Sequence, residues 1–232
     1  MKRILMVGAL ALAAGTQAFA ADLPPPMAPP PRAPAAYVPV APAFTWTGFY
    51  LGLNSGFGFG QSNWTTLPSG SFSPDGFMVG ATVGGNYQIN QLVLGIEGDF
   101  DWQNVRGSKT AAPCFAPPGP GSCDTASNWV GTFRGRIGYA FDRVLLYGTG
   151  GGAVTDVKAS AGALPWATST ELGWTAGAGL EYAFTDNWTA KVEYLYASFQ
   201  NATCPTASCG TALAQSVSFK ENMVRLGINY KF

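Results

Sequence analysis

The sequence predicts an all-β protein: an eight-stranded antiparallel up-and-down barrel that crosses a membrane. Three observations carry this. Apolar and polar residues alternate with period two through eight segments, the connections between them alternate short and long, and the strand charges fall on the face opposite the large rings. Successive side chains of a pleated strand point to opposite faces, so a period of two marks a strand. A wall with lipid outside and a filled interior reads as apolar outward and polar inward.

The elements follow in order. Lys2 and Arg3 precede an apolar run over 4–14 and an Ala18-Phe19-Ala20 site, the layout of a Sec signal peptide cleaved between Ala20 and Ala21. The run is too short to span a bilayer, and nothing later reaches the length of a membrane helix. A chain that is exported and then meets a membrane does so as strands. Residues 21–43, with nine prolines, are expected to form an extended, disordered spacer, and the barrel domain to occupy 44–232.

The expected strands are 48–59, 77–89, 92–105, 128–141, 144–158, 170–184, 188–199 and 218–232. In the last, Val224, Leu226, Ile228, Tyr230 and Phe232 share one face, and Arg225, Gly227, Asn229 and Lys231 the other. Short turns are expected at 90–91, 142–143 and 185–187, and long loops at 60–76, 106–127, 159–169 and 200–217. An even count with this alternation is the layout of short periplasmic turns and long surface loops. The fifth strand is ambiguous, because Gly148 to Gly152 blurs its faces and suggests a bulge. Aromatics cluster toward the strand ends. Trp46, Phe49, Tyr139, Phe141, Trp188 and Phe232 fall on the short-turn side, and Phe57, Phe77, Phe100, Trp102, Trp129 and Trp174 on the long-loop side. Two belts at headgroup depth are what amphipathic rings prefer.

Composition narrows the function. Charged residues are only 11% of the chain, the formal net charge is zero, and histidine is absent. There is no basic footprint for nucleic acid. Catalysis by Ser-His-Asp or Cys-His, HExxH zinc and His-ligated haem are all excluded. No catalytic residue, metal site or cofactor is indicated, so the chain reads as a non-enzyme. Four cysteines form two local pairs, Cys114 with Cys123 and Cys204 with Cys209. Three pairings are possible, and the local one is favoured because each pair lies in one Pro/Gly/Ser-rich loop of an exported chain. A zinc site is disfavoured by spacings of eight and four residues in distant loops.

The candidate functional residues are the inward charges: Glu97, Asp99, Asp101, Arg134, Arg136, Glu171, Glu181, Lys191, Glu193 and Arg225. On the lipid side each Arg or Lys would cost roughly 2–4 kcal/mol near the midplane. Inside, third-strand carboxylates face fourth-strand guanidiniums, and Lys191 lies beside Glu181 and Glu193. The simplest reading is a lumen closed by ion pairs, since eight strands leave little more room. The alternatives are a narrow pore for ions or small solutes, and ligand capture by the surface loops.

Several stretches carry a family resemblance: Trp46-Thr47-Gly48-Phe49-Tyr50-Leu51-Gly52, Gly95-Ile96-Glu97-Gly98-Asp99, Arg134-Gly135-Arg136-Ile137-Gly138-Tyr139, Leu146-Tyr147-Gly148-Thr149-Gly150-Gly151, and the ending from Val224 to Phe232. Together they resemble the small outer-membrane barrels of alphaproteobacteria, the RopB-type porin-like family, with an OmpA/OmpX-like architecture. The resemblance covers 46–232 and implies residence in the outer membrane among lipid and lipopolysaccharide. It implies that Phe232, with Tyr230, is the signal read by the barrel-assembly machinery. It also implies abundant surface proteins supporting envelope integrity, some of whose relatives bind haemin. It sets no oligomeric state. The long cysteine-bearing loops depart from the family pattern, so surface-ligand roles do not carry over.

Overall fold

The computed structural model describes residues 44–64, 72–116, 119–161, 164–209 and 215–232. The expected signal peptide, its cleavage between Ala20 and Ala21, and the Pro-rich spacer lie outside them. The described elements are β1 (Gly48–Trp64), β2 (Asp75–Ile89), β3 (Leu92–Ala116), β4 (Gly119–Phe141), β5 (Val144–Ala161), β6 (Ala167–Ala183), β7 (Trp188–Phe199), β8 (Ala202–Cys204), α1 (Thr206–Cys209) and β9 (Gln215–Lys231). Strands β1 to β7 pair antiparallel in chain order, β7 pairs β9, and β9 returns to β1 from Tyr50↔Lys231 to Trp64↔Val217. The eight long strands close a barrel in which each strand has two partners; beyond it, β3 past Arg106 pairs with β4 alone.

Strand β8 is β7 resumed. Ser198 lies opposite Lys220 and Ala202 opposite Val217, which leaves one extra residue on the β7–β8 side. The expected loop over 200–217 is therefore partly ordered as β8, α1 and the start of β9. The other long loops are shortened too. Strand β1 runs on to Trp64, and the expected loop over 106–127 is mostly a hairpin, with β3 reaching Ala116 and β4 beginning at Gly119. A chain leaving the membrane still has to satisfy its backbone N–H and C=O groups, and extending the existing ladder does so at once.

The short turns behave as expected at 90–91 and 142–143. Asn90 and Asp142 take the left-handed conformation at φ of 55° and 54°, which these residue types tolerate. The third turn is one residue longer, since β6 ends at Ala183. The bulge expected in the fifth strand is absent: β5 pairs without interruption with β6, from Val144↔Tyr182 to Ala159↔Ala167. The irregularities lie instead in β4 between Ala126 and Val130, and in β3 between Trp102 and Val105 and between Thr110 and Phe115. Asp156 Oδ1 accepts the backbone N–H groups of Asn128 and Trp129 at 2.8 and 3.0 Å, capping the donors that the β4 bulge frees.

The expected faces hold. Phe49, Leu53, Ile96, Trp102, Phe133, Leu172, Trp174, Leu226 and Phe232 are exposed on the outer wall, as a lipid-facing surface requires. Trp46 corrects the belt. It is 1% exposed and turned inside, donating its indole N–H to the Asp142 carbonyl at 3.0 Å. With Val93, Ala140, Leu145, Tyr147, Ala183 and the packed Phe44, it plugs the short-turn end of the lumen. The facing of β5 is now fixed: Leu145 and Tyr147 point in, and Leu146 points out. At the other end a second apolar cluster fills the interior, including Met78, Val105, Leu195, Phe199, Phe219 and Met223. Most of the buried charge lies between the two, but Glu221 is buried within the second cluster, between Met223 and Phe219, where it accepts from Gln103 at 3.4 Å.

Candidate functional site

The site is the waist of the lumen, built by alternation alone. Each inward residue on a barrel strand faces the strands opposite, so charges on β3, β4, β6, β7 and β9 converge. Arg134 on β4 is registered opposite Glu97 on β3 and bonds it at 2.6 Å. The same guanidinium reaches Asp99 at 2.5 Å and, across the lumen, Glu193 on β7 at 3.0 Å. Arg225 on β9 holds Asp101 at 2.7 Å and Asp99 at 3.5 Å, and it is also paired with Glu193. Arg136 binds Glu181 at 2.7 Å and Glu97 at 3.4 Å. Lys191 corrects its expected pairing. It is registered opposite Glu181, but its ammonium crosses the lumen to Glu97 at 2.9 Å.

All these side chains are at most 3% exposed. Burying charges at that depth is tolerable only when the remaining lone pairs and protons are also satisfied. Neutral partners do most of this, leaving Asp101 Oδ1 and the Nε groups of Arg136 and Arg225 without a hydrogen bond. Thr82 and Thr132 donate to Asp99 at 2.7 and 2.9 Å, and Thr189 and Asn229 donate to Glu181 at 2.5 and 2.9 Å. Two tyrosines that composition had not marked as site residues complete the waist. Tyr50 donates to Glu97 at 2.7 Å and accepts from Arg136 at 2.9 Å. Tyr147 donates to Glu193 at 3.1 Å and lies under the Arg136 guanidinium, 3.9 Å from its ring centroid. The signal for both was the small residue opposite. At Gly179 a Cβ would sit 2.5 Å from the Tyr147 ring, and at Gly84 it would collide with the Tyr50 hydroxyl.

Of the ten expected lumen charges, nine meet in this network; Glu171 does not. It lies toward the long-loop end of β6, partly buried, and takes the Ser169 hydroxyl at 2.5 Å. Lys231 closes the opposite end, donating to the Thr45 carbonyl and standing 4.3 Å from the Phe44 ring centroid. Among the described residues no group of His, Cys, Asp or Glu side chains is arranged to hold a metal. Cys123 and Cys204 are disulfide-bonded, while the side chains of Cys114 and Cys209 lie outside those described. Tyr230 and Phe232 stand on the outer wall, their rings 5.2 Å apart.

Comparison with known proteins agrees with this architecture. The chain is 38% identical over 254 residues to the 31 kDa outer-membrane immunogenic protein of Brucella melitensis biotype 1, covering all of both chains. It is 35% identical over 202 residues to the 22 kDa outer membrane protein of Rhizobium leguminosarum bv. viciae, covering 85% of this chain and 83% of that one. Among solved structures, Neisserial surface protein A matches with a TM-score of 0.44 at 17% identity, over 80% of this chain and 98% of that one. The family model for the outer membrane protein beta-barrel domain matches residues 31–232. An outward apolar wall, a closed ladder and the Brucella and Rhizobium relatives place the chain in the outer membrane, and it belongs to the outer membrane protein beta-barrel domain family.

Proposed function

We propose that the protein is a structural, non-catalytic element of the outer membrane that supports envelope integrity and surface interaction, with a lumen closed to solutes. The observation that carries this reading is the ion-paired waist between two apolar plugs. Four cations and five carboxylates interlock at 2.5–3.5 Å, with Trp46 beneath and Met78, Leu195 and Met223 above. An ion entering there has to displace charges already paired and pass closely packed side chains on both sides, mostly apolar with Gln103, Ser127 and Glu221 among them. The narrow-pore reading keeps one support, the charged waist itself. Planar-bilayer recording of the refolded chain separates the two. The closed reading expects no reproducible unitary steps. Single channels whose ion selectivity shifts with Arg134→Ala or Arg136→Ala would establish the pore instead.

A further inference from the structure

We propose that the outer wall above the membrane, between β3 and β6, binds the phosphorylated sugar headgroup of an outer-leaflet glycolipid. A cavity of about 570 Å³ lies there, lined by Arg106, Asp124, Asn128, Lys158, Trp166 and Thr168 among others. Register explains it. Arg106, Ala126, Lys158 and Thr168 are direct partners across four consecutive strands, so they form a single row. Cys123 and Ala159 on these strands pack in the interior cluster, which turns Ala126 and Lys158 to the outside. Ala126 is the floor. Two strand spacings, roughly 9.5 Å, separate the Arg106 and Lys158 backbones, and only a methyl group stands between them. Two long basic side chains can therefore converge on one anion.

The height fits a headgroup. Arg106 is four residues beyond Trp102, an exposed belt residue, which at the usual rise and tilt is about 10 Å further out. Acyl chains end at the belt and headgroups occupy the zone above it. Both cations are available. Arg106 makes no ion pair among the described residues, and Lys158 meets Asp156 only at 3.6 Å, a carboxylate already engaged by two backbone N–H groups. The remaining lining suits a sugar. Trp166, 51% exposed, offers an indole face for ring C–H groups, and Asp124 and Asn128 offer an acceptor and an amide for hydroxyls. A phosphodiester lipid without a sugar would leave that half of the groove unused.

The test reconstitutes the full chain in phosphatidylcholine vesicles doped with a bis-phosphorylated diglucosamine glycolipid. After detergent extraction, native mass spectrometry counts the glycolipid retained. The wild type is expected to retain it at least about tenfold better than phosphatidylglycerol or the dephosphorylated glycolipid, a gap of about 1.4 kcal/mol. Arg106→Gln with Lys158→Gln should remove that preference. Ala126→Trp, which fills the floor and leaves every charge in place, should remove it too. Heat-modifiable migration identifies the folded variants that count. Wild-type retention in either folded variant, or equal retention of phosphatidylglycerol, would overturn the assignment.

Discussion

Arg134→Met is the sharpest test of the waist. It replaces a guanidinium that touches three carboxylates, Glu97 at 2.6 Å, Asp99 at 2.5 Å and Glu193 at 3.0 Å, with an uncharged chain of similar length. Removing one partner of a buried pair typically costs about 3–5 kcal/mol, because the partner's charge stays behind. Here the loss is shared. Glu97 keeps Arg136 and Lys191, Glu193 keeps Arg225, and Asp99 keeps Arg225 at 3.5 Å with two threonine hydroxyls. Those remaining contacts argue for the lower half of the range, about 3 kcal/mol. The assay is reversible urea unfolding of the barrel in lipid vesicles, followed by tryptophan fluorescence and heat-modifiable migration. Adding Glu193→Gln removes one orphaned charge and should recover part of the loss, giving a coupling energy of about 1–2 kcal/mol in a double-mutant cycle. A single variant within about 0.5 kcal/mol of wild type, with no coupling, would refute the view that these charges are dry and mutually dependent.

The other expectations are quicker to check. Gly179→Ala drives a methyl group into the Tyr147 ring at 2.5 Å and should cost about 1–3 kcal/mol in the same unfolding assay, largely relieved when Tyr147→Leu is added. Cys123 and Cys204 lie beyond the outer belt, so reduction with a thiol should speed proteolysis of that extension while the barrel keeps its heat-modifiable migration. Peptide mapping before reduction should find Cys114 joined to Cys123 and Cys204 to Cys209. Deleting Phe232, which is 69% exposed, with a ring contact to Tyr230 and a backbone bond to Phe49, should leave the folded barrel intact but lower the membrane-inserted fraction in cells. An unchanged inserted fraction would remove its role as an assembly signal.

Strand faces were legible because alternation is local. Leu226 and Ile228 out with Arg225 in needs nothing beyond the pleat. Which partner a charge chooses was not legible. Lys191 is registered with Glu181 yet bonds Glu97, a choice set by curvature across the lumen and not by neighbours in the ladder. Trp46 was misplaced for a related reason. It precedes β1, where alternation no longer assigns a side, and only the closed barrel offers the pocket that receives it. The outer hairpins are not legible as strands because Gly and Pro obscure the period. The β4 bulge was invisible because Asp156, the residue that caps it, sits on the next strand. Glu171 shares the inward face of its strand but lies too far up the wall to meet a cation.

The waist invites a question of purpose, since a buried ion network is seldom worth more than apolar filling of the same volume. Register supplies an answer. A one-residue slip of β4, β7 or β9 would turn Arg134 and Arg136, Lys191 or Arg225 into lipid, at roughly 2–4 kcal/mol for each near the midplane. The pairs Arg225–Asp101, Lys191–Glu97 and Arg134–Glu193 also join strands that are not neighbours, so they form only when the wall has closed. An apolar filling would be content on either face of the wall and would penalise no misregistered intermediate. Replacing the five carboxylates and four cations together with apolar residues of similar volume should therefore leave the unfolding free energy near that of wild type. It should slow folding into vesicles and raise the fraction trapped in unproductive forms. Insertion as fast and complete as wild type would mean that the apolar outer face alone sets the register and that the network is filling.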